Sequence, residues 1–522
     1  MSAAQICESM PVDLARTAVD ADPASAGPSR AVDLIRAAAA RTPDALAVAD
    51  GTRALTYGDL VQAVERLARQ LGARGVGPGD RVMVVGENGV ALAALLLAVN
   101  RAGARLVLEN ARRAGPEVAG IVAHCRPRAV IFVTEGSEDA ARHAARYDAE
   151  AGTDPAVGGF AFVACAESDG PGEEGGVMIY TTGTTGTPKG VILKDGSLIF
   201  IATMMERLRR IGPADRVYGI LPITHIMGLA SVFLGTLRNG GALHLRARFA
   251  ADQCLDEIDA LRITALQGAT AMFAKLTERG RARGWRAPAS LRFTAAGGCP
   301  IDLTVKRKVE ELFGTTLHNG YGLTEAAAIC WTRFEDGTPD ESVGPPLPGV
   351  AVKLVAVDGG AVEPGGTGEL WVRGPNVTTG YFRDPDLTAR CLTADGWFNT
   401  QDLARIGPDG RVFIVGRTKD VIIRSGFNVY PLEVETALNR HPAVAQSAVI
   451  GRAIEGNEEI VAFLELSGPG SAIPDDLGDH LRAALSPYKH PTTVIVLPAL
   501  PLAANGKVLK AQLQNLAKDR LP

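Results

Sequence analysis

The sequence predicts an α/β protein: a large N-terminal domain of several sheets and helices, followed by a smaller α+β domain. Three observations carry this expectation. Short apolar runs alternate with helical periodicities over residues 56–133, the composition breaks near residues 416–431, and 522 residues exceed what one core usually holds.

Residues 1–28 read as a loose leader, with acidic residues and no apolar run of signal-peptide length, so secretion is not expected. From Thr56, the positions Leu60, Val64, Leu67 and Leu71 recur at helical spacing, and Asp59 stands where a capping partner belongs. Glycines 72, 75, 77 and 79 end that helix. An apolar run at 82–85, a helical segment at 90–99 and further runs at 106–108 and 129–133 supply the strand–helix–strand alternation.

Residues 217–237 contain no Asp, Glu, Lys or Arg and are long enough to cross a bilayer. Pro222, Thr224, His225 and three glycines suit a buried strand, a loop and a packed helix better, so no membrane span is expected. A polar, Gly-rich connector over 166–176 leads to an apolar strand at 177–180. Beyond the compositional break, Pro431 suits the first turn of a helix bearing Val434, Ala437 and Leu438, which Pro442 stops. A strand at 444–450, a helix through Leu477, Leu481, Ala484 and Leu485, and a strand at 492–497 complete the small domain.

The charge balance excludes some partners. With 54 Lys and Arg against 58 Asp and Glu, the net charge of -4 leaves no excess for nucleic acid or an anionic bilayer. Seven scattered cysteines with no Cys-x-x-Cys pair argue against a disulfide framework or a zinc cluster, and for the reducing cytoplasm. The sequence sets no oligomeric state.

The chemistry begins directly after the 177–180 strand. Residues 181–190 read Thr-Thr-Gly-Thr-Thr-Gly-Thr-Pro-Lys-Gly. Thr181, Thr182, Gly183, Thr184, Thr185, Gly186 and Lys189 offer backbone N–H groups, hydroxyls and a cation, the groups that a polyphosphate needs. This is not a Walker loop, because Gly190 rather than Ser or Thr follows the lysine. In isolation, a flexible Gly/Thr turn would look the same.

Four further segments remove that ambiguity: Ala-Ala-Gly-Gly at 295–298, Asn-Gly-Tyr-Gly-Leu-Thr-Glu at 319–325, Trp-Phe-Asn-Thr-Gln-Asp at 397–402 with Gly-Arg-Thr-Lys-Asp at 416–420, and Asn-Gly-Lys at 505–507. In this order and spacing, from about residue 30 to about 515, the five resemble the adenylate-forming superfamily. That superfamily contains AMP-forming acyl-CoA synthetases, aryl-acid CoA ligases, peptide-synthetase adenylation domains and firefly luciferase. The chain is most like the stand-alone acyl- or aryl-CoA ligases.

The resemblance implies ATP, Mg²⁺ and coenzyme A as cofactors, and a small carboxylic acid as substrate. It places the 181–189 loop over the β- and γ-phosphates, with Thr182 replacing the commoner serine. It makes Glu325 the magnesium carboxylate and Thr324 an α-phosphate donor. Tyr321 would pack on adenine, with Gly297, Gly298, Asn319 and Gly322 around the base; Asp402 and Arg417 would hold the ribose.

Lys507 would neutralise charge in the first half-reaction. The small domain, residues 419–522, would then turn about a hinge at Lys419 and bring Gly426 to a pantetheine tunnel, leaving residues 29–418 as the ATP- and acid-binding domain. His225 would border an acyl pocket formed with Met227, Gly268, Ala296, Leu323 and Ala326, small or apolar residues that suit an uncharged alkyl or aryl tail. No aspartate lies between Arg216 and Arg238 to hold a substrate ammonium, so amino acids are poor candidates.

One departure stands out: Gln401 occupies a position that is usually glycine. Three readings follow. With little chain beyond Lys507 to form a carrier domain, and residues 486–491 (Ser-Pro-Tyr-Lys-His-Pro) resembling a segment of CoA ligases, transfer of a medium-chain fatty or aryl acid to CoA is the first. A stand-alone enzyme loading a separate carrier protein is the second. A nucleotide-binding module without turnover is the third.

Overall fold

A computed structural model describes residues 29–182, 188–298, 301, 303–333, 341–357, 359–424, 427–454, 457–467, 472–502 and 508–521. The leader at 1–28 lies outside them.

Two eight-stranded sheets dominate. The first runs, edge to edge, through Glu150–Asp154, Gly158–Ala164, Ala129–Phe132, Arg81–Gly86, Arg105–Asn110, Val177–Thr182, Pro188–Leu193 and Gly380–Tyr381. Its four inner strands from Ala129–Phe132 to Val177–Thr182 are parallel and its flanks antiparallel. The second sheet runs through Cys330–Trp331, Leu317–Tyr321, Phe293–Gly297, Ala265–Ala269, Arg216–Gly219, Ala242–Leu245, Leu46–Ala49 and Ala54–Thr56. Only its two edge strands are antiparallel. Parallel strands need crossovers, and the alternating apolar runs and helices of the sequence supply them.

Helix Tyr57–Ala73 starts as the spacing predicts: Thr56 Oγ1 accepts from Asp59 N (3.1 Å), and the Asp59 carboxylate accepts from Thr56 N (3.3 Å). Helix Val90–Arg101 is apolar all round, and every residue from Val90 to Asn100 is buried, so it can exist only inside the packing. It rests on strands Arg81–Gly86 and Arg105–Asn110 and against helices Ala31–Arg41 and Tyr57–Ala73. The charge-free stretch at 217–237 resolves into the strand Arg216–Gly219, a loop, a π-helix Met227–Leu234 and a short α-helix Gly235–Arg238. No described helix is long and apolar enough to cross a membrane.

A four-stranded antiparallel sheet follows, Ala351–Val355, Gly368–Arg373, Phe398–Ile406 and Val412–Arg417. The C-terminal part has its own core. A sheet of Val444–Ile454, Asn457–Leu466 and Thr493–Val496 buries Val449, Ile460, Ala462 and Leu464 against helix Pro431–Asn439, and Ala448, Ile450, Val461 and Phe463 against helix Lys510–Arg520. Alternate residues thus serve opposite faces.

A single buried carboxylate ties three of the N-terminal elements. Asp195, at the start of helix Asp195–Arg209, accepts from Ala31 N (2.9 Å), Asn100 Nδ2 (2.8 Å) and Gly176 N (2.9 Å). Asp195→Ala strands these three buried donors. A loss of about 3 kcal/mol or more is expected, read as a lowered melting temperature, and Asp195→Asn, which keeps one acceptor, should lose less.

Candidate active site

The site residues gather where the two large sheets and the four-stranded sheet meet. Thr181 and Thr182 end the strand Val177–Thr182, and Lys189 lies on the returning strand, with Thr181 paired to Lys189 in register. Gly183, Thr184, Thr185 and Gly186 lie outside the described residues, as do Gly426 and Lys507. Beneath the hairpin, the buried Tyr180 hydroxyl lies 2.7 Å from His124 Nδ1.

Glu325 comes to this hairpin through a residue that the sequence did not flag. Tyr381 pairs with Val191 at the edge of the same sheet, and its hydroxyl donates to Glu325 Oε1 at 2.9 Å. Burial and the Glu325 charge both push the Tyr381 hydroxyl far above the usual phenol range, so it remains a donor at neutral pH. The Glu325 carbonyl accepts from Thr378 N (2.6 Å), and Thr324 beside it is buried.

A second cluster joins Tyr321, Asp402 and Arg417. The Tyr321 hydroxyl donates to Asp402 Oδ2 (2.5 Å), and Arg417 Nε donates to Asp402 Oδ1 (3.0 Å). Asp402 is only 5% exposed. Gly322 admits no side chain, because a Cβ would run into the Ala327 carbonyl, and Gly298 is left-handed (φ +84°). The Asn319 amide is occupied within the protein: its Oδ1 accepts from Gly320 N (3.0 Å), and its Nδ2 faces the Ser342 carbonyl (3.4 Å). Lys419 sits in the 3₁₀ turn Thr418–Asp420; desolvation, and then the neighbouring Arg417, hold its ammonium below the ordinary lysine range.

The acyl-pocket residues divide into two groups. His225 and Met227 are half-buried, and Met227 opens the π-helix. The loop before them is pinned by another unflagged residue, Asn88, which donates to Gly219 O (3.2 Å) and Leu221 O (2.9 Å) and accepts from Ile223 N (2.8 Å). Met227 Sδ lies 3.1 Å from where a Gly297 Cβ would stand, and Gly297 is in register with Gly320. Gly268 and Ala296 form the preceding row with Asn319, so strand alternation turns them to the opposite face. The row that meets Met227 is Gly297 and Gly320. Leu323 and Ala326 lie in the turn after Tyr321, where Ala326 N donates to Leu323 O (3.1 Å).

Comparison with known proteins now bears on this geometry. The family model described as AMP-binding enzyme matches residues 35–382, and the model of its C-terminal domain matches 433–507. The chain belongs to the AMP-binding enzyme family. A feruloyl-CoA synthase of Amycolatopsis is 33% identical over 91% of this chain and 96% of its own length. A sulfoacetate–CoA ligase of Cupriavidus necator is 32% identical over 93% of this chain and 97% of its own. Among solved structures, the o-succinylbenzoate coenzyme A synthetase of Bacillus subtilis, in complex with ATP and magnesium ion, superposes with a TM-score of 0.77 at 28% identity, covering 92% of this chain and 99% of that one.

Within this family member, Gln401 takes up the backbone conformation that glycine would favour. Its φ is +59°, and it lies in a bulge where residues 400–402 oppose Leu370 alone. Its N–H donates to Asn399 Oδ1 (2.8 Å), and its side-chain amide reaches Cys391 Sγ (3.5 Å). Left-handed backbone at a non-glycine residue costs about 1 kcal/mol. Gln401→Gly should leave the melting temperature unchanged or raise it, whereas Gln401→Val, β-branched at the same φ, should lower it clearly.

Proposed function

We propose that the protein is an ATP-dependent, AMP-forming carboxylate–CoA ligase that first makes an acyl-adenylate and pyrophosphate, and then transfers the acyl group to the CoA thiol. The observation that carries this reading is a pair of clusters built on one short stretch of chain: Tyr321 with Asp402 and Arg417, and Glu325 with Tyr381, which pairs with the strand that carries Lys189. Hydroxyl donors, a buried carboxylate and cations at this spacing suit a nucleoside triphosphate.

The residues also fit the implied groups. Asp402 and Arg417 would hold the ribose, Tyr321 the base, and Thr324 the α-phosphate. Glu325, already oriented by Tyr381, would hold Mg²⁺, which when bound offsets phosphate charge. Lys507 would bring a cation to the developing charge between carboxylate and α-phosphate, much as an arginine finger does.

The chain divides at 418/419 in this reading, with Lys419 as the hinge that withdraws Lys507 and presents Gly426 to CoA. The reducing cytoplasm suits the buried free thiols of Cys125 and Cys254, which burial pushes up to about 12. The acid is open to relatives' precedents, since those named above act on an aryl and on a sulfonated acid.

The test is pyrophosphate release and AMP production with a panel of carboxylic acids, with and without CoA. Acid-dependent pyrophosphate followed by CoA-dependent thioester supports the ligase. Thioester formed only on a phosphopantetheinyl carrier protein would reassign the acceptor, and ATP binding without acid-dependent pyrophosphate would overturn turnover altogether. Lys507→Ala should lower adenylate formation by about 100-fold or more, the scale of one electrostatic donor, while sparing thioester synthesis from supplied acyl-adenylate. Tyr381→Phe removes the donor to Glu325 and should raise the Mg²⁺ concentration for half-maximal pyrophosphate release by about tenfold.

A further inference from the structure

Behind the Met227 side of the acyl site lies a charged group that no described carboxylate balances. Arg209, the last residue of helix Asp195–Arg209, is fully buried. Its Nη1 donates to the Ser231 carbonyl (3.2 Å), and its guanidinium lies 4.4 Å from the centroid of the Trp331 ring. Among the described residues its Nε and Nη2 have no hydrogen-bond partner, and neither does the indole Nε1 of Trp331, itself 3% exposed. Burial alone pushes the guanidinium pKa down, to about 9, which leaves it protonated at neutral pH.

The position connects this group to the pocket. Ser231 lies about one turn after Met227 in the π-helix. The Trp331 ring occupies the space that a Gly320 side chain would fill, and Gly320 is the register partner of Gly297, whose Cβ position faces Met227 Sδ at 3.1 Å. Met227, Gly297, Gly320, Trp331 and Arg209 therefore form one continuous wall.

Every unpartnered group on the guanidinium and the indole is a donor: the Arg209 Nε–H, the Nη2 hydrogens and the Trp331 N–H. A buried donor left unpaired is destabilising, and more so on a charged group. An alkyl or phenyl tail leaves them all unpaired. A hydroxyl or carbonyl answers the hydrogen bonds but not the charge, whereas a carboxylate or sulfonate answers both.

We propose that the acid activated by this enzyme bears a second anionic group, a carboxylate or sulfonate, held by Arg209 and Trp331 at the closed end of the acyl site. This rests on the ligase reading above and replaces the uncharged tail expected from the apolar pocket residues.

The experiment compares matched acids of similar length: succinate and 3-sulfopropanoate against butyrate, glutarate against pentanoate, and isophthalate and 3-sulfobenzoate against 3-methylbenzoate. Pyrophosphate release is read as kcat/KM, and binding is read in parallel as the rise in melting temperature that each acid gives to the full chain without ATP. At least one dianion should exceed its uncharged partner by 100-fold or more, and the carboxylate and sulfonate arms identify which oxyanion is preferred. R209M should cut that preference below tenfold, abolish the dianion-induced rise in melting temperature, and leave the unliganded protein as stable as wild type or more so. R209K, which keeps a charge without the fork, should retain part of the preference and serves if R209M does not fold.

Turnover of uncharged acids in preference to every dianion, or a preference undiminished in both variants, overturns the proposal while the ligase reading stands. Stabilisation by a dianion that depends on Arg209, with no pyrophosphate from any acid, sinks the ligase reading and keeps the anion site.

Discussion

The site depends on a carboxylate that is paired where water scarcely reaches it. Asp402 is buried at the junction of the second eight-stranded sheet and the four-stranded sheet, and an isolated charge there would be expelled or neutralised. Arg417, its register partner on the adjacent strand, supplies the countercharge, and Tyr321 donates from the other sheet. The same three side chains thus hold two sheets together and, in the proposed ligase, present the groups that recognise the nucleotide. The bulge at 400–402 is what aims Asp402 inward, with Thr400 Oγ1 donating to Leu370 O (2.7 Å) and accepting from Asp402 N (3.1 Å). Gln401 carries the backbone cost of that bulge, so a glutamine in a glycine position alters the local strain and leaves the direction of Asp402 intact.

Around this junction the charges are graded. Burial first, then the charge of Arg417 and, more weakly, that of Lys189 hold the Lys419 pKa down, while Asp420 and Asp402 act the other way. Asn88 and Asp195 do the mechanical part. Each is a polar side chain inside an apolar shell with its hydrogen bonds filled, and each fixes backbone that reaches the site: the 219–223 loop for Asn88, the start of Val177–Thr182 for Asp195.

How much of this was legible followed from how local each signal is. Helix Tyr57–Ala73 and its cap, the alternation at 82–133 and the helix start at Pro431 rest on neighbours in sequence, and each was readable. Strand Asn457–Leu466 begins with acidic residues and helix Lys510–Arg520 has only a narrow apolar face, so neither announces itself until its partners are in place. The motif residues Glu325, Asp402 and Arg417 were readable because they sit in recognisable strings. Tyr381 and Asn88 were not, because their importance lies in contacts across 56 and more than 130 residues of chain. Gly297 shows the sharpest limit: a strand's two faces differ by one residue, and only register reveals which face meets Met227.

Arg209 is the extreme case of that limit. In sequence it stands among Arg207 and Arg210 at the end of a helix, which reads as a solvated basic cap suited to the helix dipole. Packing inverts the reading. The neighbouring π-helix is locked against the preceding loop, where a Gly228 side chain would strike the Pro222 carbonyl, and that places the Ser231 carbonyl over Arg209 and closes it from water. A guanidinium cannot shed its proton readily as a lysine would, so the fold bears the full cost of its burial in the absence of an anion. Hydrophobic substitution would stabilise such a position. An arginine buried here is therefore hard to explain by stability, and follows directly if the acid itself brings the missing charge.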